Sequence, residues 1–253
     1  MPTYRLTSPI PVMIECPEAM RPPIEYVFNG EYESHHDGTG LDILDIGANH
    51  GKFAKNFAQL HRTRTNVWCF EPFEYNYTIL ESVLRRCGNT RVFRFALSDK
   101  PGPIELYVPF KQRSKRIVPG SAHIGIKPGA EILGTHTAPD VARVTIQADT
   151  LDAVVAREKP LRLDFIKVDV EGAEGLVFRG GRDTLARFKP TIYCEITPGH
   201  PENVGMTAPQ VASELLELGY HIYAFPEDAA GPERAEGLVP LVRDYLFRHP
   251  GRV

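Results

Sequence analysis

The stretch Leu41-Asp-Ile-Leu-Asp-Ile-Gly-Ala-Asn-His-Gly51 decides how this chain is read. An apolar run carries Asp45 near its end, turns through Gly47 and Gly51, and opens helical periodicity at Lys52. A second apolar run, Asn66-Val-Trp-Cys-Phe-Glu-Pro72, brings an acid, Glu71, 20 residues beyond Gly51. Strand, glycine turn, helix, strand and acid, in that order, are the layout of a nucleoside site in a Rossmann-like sheet. The glycines let backbone approach a ligand closely, and the acid accepts hydrogen bonds from two ribose hydroxyls. A dinucleotide fingerprint needs glycine where Asn49 stands. A phosphate loop needs Ser or Thr after the lysine, where this chain has Phe53. With no pyrophosphate to cradle, the ligand that fits is an adenosine with a cationic amino-acid tail, with Asp45 facing its ammonium group. That ligand is S-adenosylmethionine.

Outward from this stretch, strand and helix alternate. Apolar or β-branched runs fall at 41–46, 66–71, 91–97, 163–170 and 191–197, with helical periodicity at 52–61, 73–87, 149–157, 172–187 and 208–218. Gly180-Gly181 interrupts the fourth helical stretch and is positioned to split it. Tyr220–Phe225 and Arg243–Arg248 read as final strands, paired antiparallel at one edge. The pattern predicts an α/β fold: a seven-stranded, mostly parallel sheet with helices on both faces. Residues 1–40, rich in Pro and aromatics, read as an N-terminal cap to the domain formed by 41–253. The rhythm breaks between Leu97 and Leu163. That span holds a strand-like Pro103–Val108, the basic cluster Lys111, Arg113, Lys115 and Arg116, a Gly/Pro-rich stretch from Pro119 to Pro139, and a strand-like Val141–Gln147. A long irregular segment inside a compact domain is a functional lid or a disordered stretch, and its position beside the cofactor end of the sheet favours the lid. The expected lid-like insertion covers about residues 101–147.

Ligands of open α/β sheets bind at the carboxyl ends of the strands. The cofactor candidates are therefore Asp45, Gly47, Ala48, Asn49 and Gly51 from the first strand and its turn. The second strand adds Glu71, Pro72 and Phe73, the last two flanking adenine. The third adds Ala96, Leu97 and Ser98, with Asp99 beside them at the adenine edge. His50 reads more simply as a loop histidine than as a ligand. Strand four ends in Lys167-Val-Asp-Val-Glu-Gly-Ala-Glu174, and strand five brings Glu195. A central parallel strand is buried on both faces, so the charges of Lys167 and Asp169 need a reason. One is a structural ion-pair network of Lys167 with Asp169 or Glu195. The other is function: Asp169 and Glu171 facing the transferred methyl group, as acceptor base or, with Glu195, as oxygen ligands of a divalent metal. His123, in Gly120-Ser-Ala-His-Ile124, is a further candidate base. The basic cluster reads either as a solvated hairpin tip or as an anchor for an anionic group.

Asp45-Ile-Gly-Ala-Asn-His-Gly51, Phe70-Glu-Pro72, Ala96-Leu-Ser-Asp99, Lys167–Glu174, Gly180 and Pro190–Glu195 resemble, in order, the successive motifs of FkbM-family methyltransferases. Phe28-Asn-Gly-Glu-Tyr32 is similar to the segment that precedes the first motif in that family. The resemblance implies a class I S-adenosylmethionine-dependent methyltransferase fold and O-methylation of a hydroxyl on a sugar, polyketide or other secondary metabolite. It does not name the acceptor.

Composition bounds the rest. At 253 residues, 42% hydrophobic and 24% charged, the chain has the make-up of one globular α/β domain. A net charge of −3 gives no reason to expect nucleic acid. No apolar run approaches a membrane span, and the first residues lack the apolar core of a signal peptide, so the cytoplasm is the expected compartment. Cys16, Cys69, Cys87 and Cys194 show no pairing pattern, and Cys69 and Cys194 lie in apolar runs as small hydrophobes. The expected partner is a hydroxylated small molecule, sugar-like or tethered to a carrier. Two rivals stand beside this reading: a nicotinamide oxidoreductase, disfavoured by Asn49, and a cofactor-binding module without catalysis, disfavoured by the strand-four carboxylates.

Overall fold

A computed structural model of the chain describes residues 41–60, 65–111, 116–117, 122–125, 140–225, 232–239 and 243–251. The expected N-terminal cap, Ser121 and most of the Gly/Pro-rich stretch lie outside the described residues.

The chain runs β1 (Leu41–Ile46), α1 (Lys52–Leu60), β2 (Thr65–Phe70), α2 (Glu74–Leu84) and β3 (Thr90–Phe93). Four further strands follow: β4 (Ala96–Leu97), the long β5 (Gly102–Lys111), β6 (Arg116–Ile117) and β7 (His123–Ile124). Next come β8 (Asp140–Asp149), α3 (Leu151–Glu158), β9 (Phe165–Val168), α4 (Glu174–Arg179), α5 (Arg182–Phe188) and β10 (Thr191–Glu195). A 3-10 turn (Pro201–Val204), α6 (Ala208–Leu216), β11 (His221–Ala224), β12 (Glu233–Ala235) and β13 (Asp244–Arg248) complete it.

The main sheet has the order β12-β11-β13-β10-β9-β1-β2-β3. From β3 to β10 neighbouring strands are parallel, while β13 joins β10, and β11 joins β13, antiparallel. The sheet is thus eight-stranded rather than seven-stranded. The extra member is the short β12, whose Glu-Arg-Ala carries no apolar signal and which pairs only with β11 at the edge. The chain leaves β1 toward β2 and β3 on one side and returns on the other as β9. That reversal makes the seam between β1 and β9 the topological switch point, where open α/β sheets take ligands.

Alternation along the strands divides the core into two layers. Ile43, Val67, Cys69, Phe165 and Tyr193 face one side and pack under Phe53, Ala54, Phe57 and Ala58 of α1 and Leu80 and Leu84 of α2. The apolar residues of α1 recur at helical spacing, so one face of the helix is buried and the other solvated. Leu44, Ile46, Phe70, Ile166, Val168 and Ile192 face the other side, under α3 to α6. The expected split at Gly180-Gly181 separates α4 from α5.

The expected third strand, 91–97, is two strands. β3 ends at Phe93, and Ala96–Leu97 pairs instead with β8 in a second, five-stranded sheet. There β5 and β8 form a long antiparallel hairpin, with β6 and β7 both added along β5. Leu106, Val108, Ile146 and Ala148 make a small core of their own with Ala96. Among the described residues no helix is long and apolar enough to cross a membrane. Cys69 and Cys194 are buried free thiols, and Cys87 is free and half-buried.

Candidate active site

Register places the charged residues before any side chain is considered. Asp45 lies opposite Lys167 across β1 and β9, and Lys167 lies opposite Tyr193 across β9 and β10. All three share the face that packs under α1. Asp45 is 0% exposed and Lys167 2%. The Lys167 ammonium sits 3.4 Å from Asp45 Oδ1 and 3.2 Å from Asp169 Oδ2, donates to Gly47 O at 3.0 Å, and lies over the Phe53 ring. Burial by itself would lower the Lys167 pKa, but Asp169 and Asp45 outweigh it and raise it. Asp45 is therefore the buried counter-ion of Lys167 and not a wall of the cleft. It was expected against a ligand ammonium; the parity of β1 sets it, buried, against Lys167. The ion-pair network considered from the sequence exists, with Asp45 in the place given to Glu195.

One residue on, backbone takes over. Gly47 has φ +77°, and a Cβ there would lie 1.9 Å from the carbonyl oxygen of Asp169. The Gly47 turn thus presses against the end of β9, a contact open to glycine alone. Asn49 follows in the left-handed region at φ 49°. Its amide donates to Glu71 Oε2 at 2.9 Å, while the Phe73 amide donates to Glu71 Oε1 at 2.9 Å. The buried Asn76 side chain also hydrogen-bonds Glu71. Burial pushes the Glu71 carboxyl up to about 7 against these donors.

These residues line a cleft enclosing about 640 Å³ of open space, part of it continuous with solvent. Its polar wall is Gly47, Asn49, Glu71, Asn76, Asp169 and Glu171. Ala96, Leu97, Leu106 and Ile124 of the second sheet, with Ala122 just ahead of β7, supply an apolar wall, joined by Ile46, Phe70, Pro72 and Val170. Of the expected site residues, Gly47, Asn49, Glu71, Pro72, Ala96, Leu97, Asp169 and Glu171 line the cleft together. Ala48, Gly51, Phe73 and Ser98 stand behind it. Ala48, Gly51 and Ser98 are buried, and Phe73 serves Glu71 through its backbone.

His123 is also behind the wall. It lies opposite Tyr107 in the β5–β7 pairing and stacks on that ring at 6.2 Å, while its neighbours Ala122 and Ile124 face the cleft. Of the basic cluster, Arg113 and Lys115 lie outside the described residues, and Lys111 and Arg116 pair through backbone in β5 and β6.

Beside Asp169 and Glu171 stand His200, Tyr193, Asp244 and Thr197, which the sequence did not single out. Glu171 adopts φ 56°, and its Oε2 lies 3.3 Å from His200 Nδ1. Tyr193 donates its hydroxyl to Asp244 at 2.6 Å, and Thr197 donates to Glu195 at 3.1 Å. His200 belongs to Thr197-Pro-Gly-His-Pro201, directly after β10. The strand-end rule that found Glu195 also reaches it when extended through the turn. Among the described residues no group of His, Cys, Asp and Glu is arranged to hold a metal ion, so the metal set of Asp169, Glu171 and Glu195 is not formed.

A glycine turn and a strand-end acid meeting at the switch point of a doubly covered sheet define an α/β domain of the class I methyltransferase fold. The methyltransferase FkbM domain matches residues 45–222, more than half of the sequence, and the chain belongs to that family. It is 28% identical over 153 residues to the 2-O-methyltransferase NoeI of Sinorhizobium fredii (strain NBRC 101917 / NGR234), covering 60% of this chain and 62% of that protein. The chain thus spans less than two thirds of that relative. Among solved structures, the methyltransferase FkbM of Methylobacillus flagellatus KT superposes with a TM-score of 0.51 at 15% identity, over 83% of this chain and 44% of the other.

Proposed function

We propose that the protein transfers the methyl group of S-adenosylmethionine to a hydroxyl of a small molecule, sugar-like or carrier-tethered, in the cytoplasm. The observation that carries this reading is Glu71. Its two oxygens are aimed by the Asn49 and Phe73 amides at the rim of a cleft with an apolar side. A carboxylate has about four acceptor sites, so the bonds from Asn49, Phe73 and Asn76 leave room for a ribose hydroxyl. The donor set fits the rest of the nucleoside. Leu97, Ala96 and Pro72 offer apolar contact for adenine. Asn49 Oδ1, buried with no hydrogen-bond partner among the described residues, and the Asp169 carboxylate suit an ammonium group. When bound, the sulfonium supplies an activated methyl and a neutral leaving group. The chain's own part is to align an acceptor hydroxyl, exclude water and take up its proton. Glu171 is the base this reading assigns, on the cleft wall beside Asp169. The name of the 2-O-methyltransferase relative supports oxygen as the methylated atom.

The test is calorimetry with S-adenosylhomocysteine on the full chain and on Glu71→Ala. Losing a charged hydrogen-bond acceptor is expected to cost about 1.5–3 kcal/mol, roughly a 10- to 150-fold weaker affinity. Unchanged affinity in a folded Glu71→Ala variant refutes the assignment.

A further inference from the structure

We propose that Glu171 and His200 hold one exchangeable proton between them on the acceptor side of the cleft, and that a cation entering the cleft expels it. The base is then free only when the methyl donor is in place. This rests on the reading of the cleft as an S-adenosylmethionine site and adds to it a positioning residue, His200, and a proton-linked order of events.

The geometry comes first. Glu171 is a non-glycine residue held at φ 56°, a conformation that persists only where its surroundings enforce it. The enforcement is visible on both sides. Glu174, buried at the start of α4, accepts the Gly172 amide at 2.9 Å and the Val170 amide at 3.3 Å through one oxygen. Gly172, at φ +106°, packs so closely on the His200 backbone that a Cβ would lie 2.4 Å from its carbonyl oxygen. The loop carrying Glu171 and the turn carrying His200 are thus interlocked. The result is the 3.3 Å approach of Nδ1 to Oε2, with side chains 31% and 29% exposed. Glu171 lines the cleft, and His200, against its Oε2, is itself about a third exposed.

The surrounding charges set the proton count. Glu171 is faced by Asp169 on its own loop, Glu195 of β10, Glu174 of α4 and Lys167 of β9. Burial first, and then the three carboxylates, push it up to about 8 against the pull of Lys167. His200 is faced by His123 of β7, Arg243 ahead of β13, Asp169 and Glu202. Burial first, then His123 and Arg243, hold it below the usual histidine value. Near neutral pH the pair therefore carries one proton, on the carboxyl, and the imidazole is uncharged. A positive charge within a few ångströms lowers the pKa of a carboxyl by about 1–3, which takes Glu171 through neutrality and releases that proton. In the transfer itself the acceptor oxygen bonds to the methyl carbon, and the carbon–sulfur bond breaks with its electron pair going to sulfur. The hydroxyl proton goes to the Glu171 carboxylate, and His200 Nδ1 shares it until the cleft opens.

The experiment needs no acceptor. Binding of S-adenosylmethionine and of S-adenosylhomocysteine to the full chain is measured calorimetrically near pH 7.5, in buffers of different ionisation enthalpy, to count protons released. Both ligands bring the same ribose to Glu71 and the same ammonium, so release common to both belongs to those contacts. The difference reports the sulfonium charge. We expect S-adenosylmethionine to release roughly half a proton more. Glu171→Gln should remove that excess and Glu171→Asp restore it. His200→Phe, which removes the nitrogen that shares the proton with Glu171 Oε2, should move the pH at which the excess is greatest. Equal counts for the two ligands, an excess that survives Glu171→Gln, or an unmoved pH maximum in His200→Phe overturns the proposal while leaving the cofactor site standing. If neither nucleoside binds, the methyltransferase reading falls and takes this inference with it.

Discussion

Replacing Lys167 with methionine tests the central ion-pair arrangement most severely. The side chain is fully buried, and its ammonium is the one positive charge that, among the described residues, forms an ion pair with Asp45, itself without solvent contact. Methionine has similar length and fills the space over the Phe53 ring. Packing is therefore largely kept while the charge is removed. Breaking a buried pair by deleting one partner costs about 3–5 kcal/mol, because the remaining charge stays in a low-dielectric site. For a domain of this size each kcal/mol is worth about 2–4 °C in melting temperature, so Lys167→Met should melt about 6–20 °C lower near pH 8. The pH dependence has a definite sign. Without Lys167 the folded-state pKa of Asp45 rises further above its unfolded value, so the stability penalty is full above that raised pKa and shrinks as pH falls from it toward the unfolded value. The gap to wild type should therefore narrow steadily as pH falls from about 8 toward the ordinary carboxylate value of about 3.9. Asp45→Asn combined with Lys167→Met removes both charges and should recover most of the loss. Thermal unfolding across that pH range decides the matter. A single variant within 2 °C of wild type, or a double variant no better than the single one, refutes the claim that the Asp45 charge depends on Lys167.

Three smaller predictions accompany it. Gly47→Ala should destabilise the fold by about 1–3 kcal/mol or more and weaken S-adenosylhomocysteine binding at least tenfold, since a Cβ would lie 1.9 Å from Asp169 O at a strained φ; denaturant titration and calorimetry measure both. Tyr193→Phe removes the hydroxyl that donates to Asp244 at 2.6 Å and should cost about 1.5–3 kcal/mol in urea unfolding. That cost should shrink as pH falls and Asp244 takes a proton, because burial already raises its pKa and the lost bond had held it down. Arg91→Ala, by contrast, breaks a solvent-facing pair with Glu158 and should change stability by less than about 1 kcal/mol, beyond the loss of its contact with the Trp68 and Phe93 rings.

The glycine-turn and strand-end-acid half of the cleft was legible because its grammar is local. Asp45 to Gly51 and Phe70 to Pro72 are each a strand end and a turn, and the strand-end rule brings the two together. What local grammar omits is which way a side chain points across a sheet. Asp45 was read as facing a ligand because its nearest charged partner, Lys167, is far along the chain and becomes a neighbour only through the β1–β9 register. The 91–97 run shows the same limit. Its alternation continues through Arg94 and Phe95, so nothing in the pattern marks where the chain leaves one sheet for another. β12 escaped notice for the opposite reason: an edge strand of Glu-Arg-Ala buries little and needs no apolar signature. His200 is a histidine in a Pro/Gly turn, and only its approach to Glu171 distinguishes it.

The two-residue strand β4 has a mechanical consequence. Ala96 and Leu97 help to wall the cleft, yet they are hydrogen-bonded into the same sheet as the β5–β8 hairpin. Floor and roof of the pocket are therefore one continuous piece of hydrogen-bonded fabric, joined like a book to its cover by a narrow spine. The hairpin is not free to swing about a soft hinge at its base, because any rotation there would drag Ala96 and Leu97 with it and reshape the nucleoside pocket.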